Sequence, residues 1–553
     1  MLPMVWDYII VGGGLAGSVI SSRMIEYNKS LNILLIEAGE DTRSRTDILY
    51  ANATNLMGGE LDWQYPTEPV TALNNRSFIF NQGKGLGGGA AINACGYTRG
   101  PKVDYDEWAE IVGDSRWSYE NQLPWMKKAE DWFSSNSTAQ HGNGGPLHVA
   151  SVSSTGRTYP LRDVVAQGWK EIGVTALPGL DGNAGNNLGR AELTETRHNG
   201  VRELPPVIYP LEGVTILTET LVEKILLVKN CTTGELQAVG VQLTNGTQIA
   251  GKNVISAAGA YRSPQLLMLS GIGDSTELQK HNISVRLDLP DVGKGLSDHM
   301  SFYQFWKLKN PENGYAVGSN NPLFSQPEFG MGYPIDWVTS TGVDKTGLAA
   351  AIAKDEGAAP DATSHPLLKT NRTFLETFVI YQAYSASNPT VPMDGSHIYT
   401  NLVSFMPTSR GTVSLRSSDP AEGPIINLNY LNTEVDRYVY REGVRHITKL
   451  MLNTTFGQEY ILGEAAPDNF KPASLEDTDE YLDSRLAEGG LTTWHPHGTC
   501  AMGKVVDSEF KVMGVNGLRI VDASVLPIPM AAHLMAPLYA MAEQAAAIIT
   551  GNS

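Results

Sequence analysis

DYIIVGGGLAG (residues 7–17) is the stretch that decides the fold class. A β-rich apolar run from Val5 to Val11 leads into three glycines, and a helical spacing then begins at Leu15 and continues through Val19, Ile20 and Met24. Gly12, Gly14 and Gly17 stand in GxGxxG spacing between strand and helix. Glycine permits the tight turn there and lets backbone N–H groups and the helix N-terminus approach a diphosphate. NILLIEAG (32–39) supplies a second buried strand ending at Glu37, about 20 residues beyond the last glycine and placed to accept from ribose hydroxyls. Strand, turn, helix, strand and acid together predict a doubly wound α/β nucleotide-binding unit.

A second glycine-rich segment, GKGLGGGAAINACGYTRG (83–100), carries more backbone freedom than a plain surface loop has reason to bear. A loop lying flat against a planar ligand has such a reason. From about 205 to 258 the pattern changes to short β-rich pieces, TILTETLVEKILLV, ELQAVGVQLT, NGTQIAG and NVISAAGA, read as a β-meander whose last strand returns to the nucleotide-binding sheet. GAYRSPQLLMLSGIG (259–273) reads as a strand-end turn and an apolar helix. Residues 301–487 mix aromatics, Pro and Gly breaks and both strand and helix patterns, as expected of an α+β substrate-facing domain inserted into the first. No internal repeat or low-complexity tract is present.

The 553 residues exceed one ordinary core, and 42% hydrophobic with 18% charged residues is the composition of a globular protein with two domains. A net charge of -18 argues against nucleic acid or an anionic membrane as partner, because either needs clustered Lys and Arg. No apolar run is long enough to span a bilayer. The three cysteines, Cys95, Cys231 and Cys500, are far apart and show no CxxC spacing, which disfavours a disulfide framework or a zinc site. Nine Asn-x-Ser/Thr sequons, at Asn28, Asn52, Asn75, Asn136, Asn230, Asn245, Asn282, Asn371 and Asn453, point to the secretory pathway. Against this, the first strand begins within a few residues of Met1 and leaves no room for a signal peptide; a trimmed N-terminus would reconcile the two.

Near the C-terminus, WHPHGTCAMG (494–503) and DASVLPIPMAAHLMAPLYAMAEQAA (522–546) carry the chemical candidates His495 and His533. Imidazoles suit proton abstraction from an alcohol. HPHGTC also has the residue types of a metal cluster, but no second ligand-rich segment accompanies it, so no metal is expected. DGNAGNNLGRAE (181–192) has the look of a calcium loop, yet Gly185 and Asn186 fall where that pattern wants an acid or amide and then glycine. Trp494, beside the candidate base, is a candidate wall of the substrate pocket, and Phe302, Tyr303, Phe305 and Trp306 are candidates for either pocket lining or core.

These segments, with YTRGPKVDYDEW (97–108), HGNGGPLHV (141–149), DVGKGLSDH (291–299) and SRGTVSLRSSDP (409–420), resemble the glucose/methanol/choline family of FAD-dependent oxidoreductases nearly end to end. The resemblance implies a Rossmann-like FAD-binding domain with a β-meander, formed by residues 1–45, 80–150, 205–300 and 488–553. It further implies a flavin lid at 46–79 and a substrate-binding domain from 151–204 and 301–487. By the same resemblance Leu15, Ala16 and Glu37 contact the adenosine half of FAD and Val222 meets adenine. Gly89, Asn93, Ala94 and Gly96 line the flavin and diphosphate, and Ala523 and Met535 complete the isoalloxazine pocket.

His495 matches the family's proton acceptor and His533 its partner, as in the glucose oxidase and glucose dehydrogenase branch. Two departures stand out. Gly89 and Ala90 replace Ser or Thr, removing hydroxyls beside the flavin. Ile92 occupies the place where some members carry a histidine joined to the flavin, which implies non-covalent FAD. The expected reaction is oxidation of a small-molecule alcohol of aryl, allylic or secondary-metabolite type, with oxygen or a quinone as electron acceptor. Lyase or cyclase chemistry without net redox change, and sugar oxidation, remain alternatives.

Overall fold

The structure is a computed structural model and describes residues 5–50, 56–134, 139–230 and 234–552. Trp6–Val11 forms β1, Leu15–Tyr27 forms α1 and Ile33–Ile36 forms β2, which is buried along its whole length. β1 and β2 pair in parallel, Tyr8 with Ile33 and Val11 with Ile36. β3 (Gly189–Glu192) belongs to a separate sheet, described below. The chain returns with β4 (Val214–Leu217), which lies parallel to β2 on the side away from β1.

β5 (Val222–Lys229), β6 (Leu236–Leu243) and β7 (Gln248–Ser256) form an antiparallel ribbon. Here the structure departs from the meander read in the sequence. NGTQIAG and NVISAAGA are not two strands but one, whose first part pairs with β6 and whose second part runs parallel to β1. Gly251, which looks like a turn signal, sits where a β-carbon would lie 2.7 Å from Ile9 Cδ1, so it makes room for that side chain. TILTETLVEKILLV likewise splits: its first residues extend the parallel sheet as β4 and the remainder opens the ribbon as β5.

α2 (Gly259–Leu269) follows β7 directly. The second sheet is antiparallel and has the order Ile461–Glu464, β8 (Met300–Leu308), β11 (His397–Ser404), β10 (Leu375–Ile380), β9 (Trp337–Thr341) and β3, with Gly490–Thr492 also beside β8. Successive side chains of a strand face opposite sides, so register decides what each face holds. Leu402 and Leu375 face α3 (Glu434–Asn453), where a β-carbon on Gly443 would come within 2.7 Å of Leu402 Cδ2. The alternate residues, Glu376, Phe378, Ile380, Tyr399, Asn401 and Tyr303, share the opposite face.

Each sheet has its own apolar core. The first gathers β1, β2, α1 and the C-terminal α4 (Met535–Thr550), and the second gathers β8 to β11 and α3. Among the described residues no helix is long and apolar enough to cross a membrane. Cys95 and Cys500 are buried free thiols, whereas Cys231 lies outside the described residues, as do the sequons at Asn52 and Asn136.

Candidate active site

The glycine turn is tight for a steric reason. Gly12 has φ +104°, and a β-carbon there would lie 2.4 Å from the Ala257 carbonyl oxygen; one on Gly17 would lie 2.0 Å from the Gly12 oxygen. Gly17 therefore allows α1 to start hard against the end of β1 and does not itself reach the cavity beyond. Glu37 closes the turn: its Oε2 accepts from Gly13 N at 2.8 Å and its Oε1 from Gly39 N at 2.8 Å. Burial pushes this carboxyl up from its ordinary range. The second glycine loop packs against the first, with Gly87 N donating to Gly13 O at 2.8 Å. A β-carbon on Gly88 would lie 2.9 Å from Gly14 Cα. Part of its glycine density thus serves loop-on-loop contact, not only approach to a ligand.

A cavity of about 510 Å³ runs from this turn to the histidine pair. Gly12, Gly14, Leu15, Ala16, Glu37 and Val222 line one part of it. Gly89, Asn93, Ala94 and Gly96, with Ala523 and Met535, line the part that leads to His495 and His533. The residues present fit FAD: a helix N-terminus and glycine backbone for the diphosphate, Glu37 in the lining for ribose, and apolar walls for the two ring systems. Ile92 and Cys95 also line the cavity, and Cys95 holds a left-handed backbone at φ +64°.

His495 follows the short strand Gly490–Thr492. Its backbone N–H donates to Asp298 Oδ1 at 2.7 Å, while Asp298 Oδ2 accepts from Thr492 Oγ1 at 2.6 Å and from the Tyr430 hydroxyl. Burial pushes the Asp298 carboxyl up to about 6. Trp494 adopts φ +60°, an outlier for a bulky residue, and is held there by its N–H on Thr492 Oγ1 (2.7 Å) and its indole N–H on Asn81 Oδ1 (3.2 Å). Trp494 lines the cavity.

The ring of His495 meets His299 with the two Nδ1 atoms 2.9 Å apart, and its backbone carbonyl accepts from His497 Nδ1 at 2.9 Å. His495 and His533 stand edge to face with ring centroids 4.9 Å apart. His533 Nε2 pairs with Glu376 Oε1 at 2.8 Å, and its backbone N–H donates to Thr98 Oγ1 at 2.6 Å. Burial, then the neighbouring His533 and His497, hold His495 well below the ordinary histidine value. Burial and the surrounding histidines do the same to His299, with the Phe405 backbone acting in the opposite direction. The site therefore offers a neutral imidazole with one nitrogen tied to a second neutral imidazole and the other, Nε2, turned to the cavity.

Of the four aromatics on β8, Tyr303 lines the cavity while Phe302 and Trp306 belong to the buried core on the other face. Phe305 packs on Tyr399 at 5.9 Å between ring centroids. The sequence reading passed over His299, Asp298 and Glu376. A signal exists for all three: Asp298 and His299 end DVGKGLSDH, and Glu376 is the lone charged residue in a mostly apolar strand, FLETFVI, where an unpaired charge is costly. Asn81 carried no such signal.

Two family models described as GMC oxidoreductase match the chain, one over residues 6–301 and one over residues 407–542. The GMC-type oxidoreductase acuG of Aspergillus aculeatus is 38% identical over 544 residues, 98% of each chain. Oxygen-dependent choline dehydrogenase of Paraburkholderia phymatum is 33% identical over 570 residues, 99% of this chain and 93% of that one. Among solved structures, pyridoxine 4-oxidase from Mesorbium loti superimposes with a TM-score of 0.82 at 25% identity, over 98% of both chains.

Proposed function

The chain belongs to the GMC oxidoreductase family, FAD-dependent enzymes acting on CH–OH groups, and from that premise we propose that it oxidises an aryl, allylic or secondary-metabolite alcohol to the aldehyde, ketone or lactone. The observation that carries this reading is the aromatic lining of the cavity that holds the histidines. Tyr303, Tyr333, Phe378, Tyr399 and Trp494, with Ile335 and Ile380, line the cavity, so a flat apolar substrate body finds more complementary surface than a sugar does.

In the proposed reaction His495 Nε2 takes the carbinol proton while the carbon gives up its hydride. Bound FAD supplies the two-electron acceptor. Glu376 accepts from His533 Nε2, which fixes that ring and leaves Nδ1 on the side of Gly96 and the cavity; a β-carbon on Gly96 would lie 4.0 Å from it. From there His533 Nδ1 faces the carbinol oxygen, and an N–H at that position would stabilise the alkoxide as it forms. FAD is held non-covalently in this reading, since Ile92 offers no nucleophile where some relatives carry a tethering histidine. Oxygen or a quinone then takes the electrons.

The test is an anaerobic spectrum of the holoenzyme titrated with benzylic, allylic, aliphatic and sugar alcohols, together with choline and pyridoxine. Bleaching by the benzylic or allylic class is expected, and air then separates oxidase from dehydrogenase. His495→Ala should slow flavin reduction by about 10²- to 10⁴-fold, and near-normal reduction in that variant would overturn the assignment of the base. A flavin that stays oxidised with every alcohol points instead to lyase or cyclase chemistry, and a product isobaric with its substrate identifies a cyclising or isomerising enzyme.

A further inference from the structure

The cavity-facing side of the second sheet carries a carboxamide that the reaction does not use. Asn401 sits on β11, with Tyr303 of β8 directly across one way and Phe378 of β10 across the other; all three line the cavity. Other polar groups on this face are engaged: Glu376 holds His533, and Ser301 Oγ lies 2.8 Å from Thr493 Oγ1. The Asn401 carboxamide makes no hydrogen bond, and its Oδ1 is shut away from water without a partner.

Asparagine is also a poor choice for the middle of a strand between aromatic neighbours, where a branched apolar residue packs without leaving a polar group unpaired. A carboxamide retained in such a wall is complementary to a group brought by the ligand. We propose that Asn401 reads a second hydroxyl on the substrate, distant from the reacting carbinol, so that the preferred substrate is a hydroxylated aryl or allylic alcohol. This rests on the alcohol-oxidation reading above.

The alternatives fit less well. Oδ1 calls for a hydrogen-bond donor, which a carboxylate lacks. An ammonium is a donor, but Glu195 and Glu376, which could balance its charge, are already matched. Glu195, which lines the cavity, pairs with Arg157 and lies 3.7 Å from Arg197 Nε, and Glu376 pairs with His533. A substrate cation would stay uncompensated there, which is strongly unfavourable in a dry site. A neutral hydroxyl donates to Oδ1 or accepts from Nδ2, and the broad terminal torsion of Asn lets the carboxamide turn to meet it.

The experiment compares wild type with Asn401→Leu, and with Asn401→Ser as a smaller variant that keeps a hydrogen-bonding group, each as holoenzyme checked for flavin content. Binding is read from perturbation of the visible flavin spectrum by benzaldehyde and by its ring-hydroxylated and ring-methoxylated counterparts. Turnover is read as kcat/KM for the matching benzyl alcohols. Wild type should favour the best hydroxylated member over its methoxy counterpart by about 10- to 100-fold in both readouts. Asn401→Leu should compress that ratio to about threefold or less, and Asn401→Ser should fall between them.

An unchanged ratio in Asn401→Leu, no ratio in wild type, or a preference for choline or an aminomethyl analogue would each overturn the proposal. Failure of the redox reading looks different: no alcohol bleaches the flavin, while the binding ratio and its loss in Asn401→Leu persist.

Discussion

At His495 the decisive contact is with another histidine. Two neutral imidazoles whose Nδ1 atoms lie 2.9 Å apart share one proton, so one ring donates and the other accepts. The arrangement that leaves Nε2 bare on the cavity side, as a base requires, has His495 donating from Nδ1 to Nδ1 of His299. His299→Leu removes the acceptor that selects this tautomer. It should cut the rate of flavin reduction by about 10- to 100-fold with little change in KM, and His299→Gln, which restores an acceptor, should recover part of it. The pH profile follows from the direction of the His495 shift. A base held below 6.5 stays unprotonated as pH falls through 6.5, so kcat/KM should be flat across that value and drop only well beneath it. An acid limb centred near 6.5 in a pH series would show that His495 is not held neutral. The two histidines were legible from residue type and setting, but their tautomer was not, because His299 lies almost two hundred residues away and hydrogen bonding, not sequence spacing, selects it.

Among the elements, the glycine turn and the sheet face carry the site. Gly17→Ala places a methyl group 2.0 Å from a backbone oxygen that α1 cannot leave without lifting off β1. The expected outcome is a protein purified with little or no flavin, measured as the ratio of visible to ultraviolet absorbance, and full flavin occupancy would refute the steric argument. β1, α1 and β2 were readable because apolar period and glycine placement are local signals. The sequence reads β7 as two strands because glycine has two uses, turning a chain and making room for a neighbouring side chain. At Gly251 the neighbour that selects the second use is Ile9, brought there by the fold. Pleat parity is the matching case for the pocket: alternation predicts that Tyr303 and Phe305 oppose Phe302 and Trp306, but which pair meets the cavity is decided by α3 covering the other face.

For the molecule as a whole, the chain's two ends close the first domain upon each other. α4 packs on α1, and the fully buried Glu543 accepts from Arg23 Nε and Nη2 at 2.7–2.9 Å and from the Tyr209 hydroxyl at 2.9 Å, with Lys128 Nζ at 3.3 Å. Arg23→Met leaves that carboxylate short of its main partner and should cost about 3–5 kcal/mol, whereas Arg23→Met with Glu543→Leu should recover most of the loss. Thermal melts of the single and double variants decide this, and equal losses in both would mean that packing, not charge, joins the helices. The sequence by itself determined the nucleotide-binding unit, the family and the two histidines, because glycine spacing, apolar period and the order of long motifs are properties of neighbours along the chain. The tertiary structure alone decided the partners: His299 for His495, Glu376 for His533, Asn81 for Trp494 and an unmatched Asn401 in the wall. Each of these pairings joins residues far apart in the chain, and no local pattern encodes which strand face meets which loop.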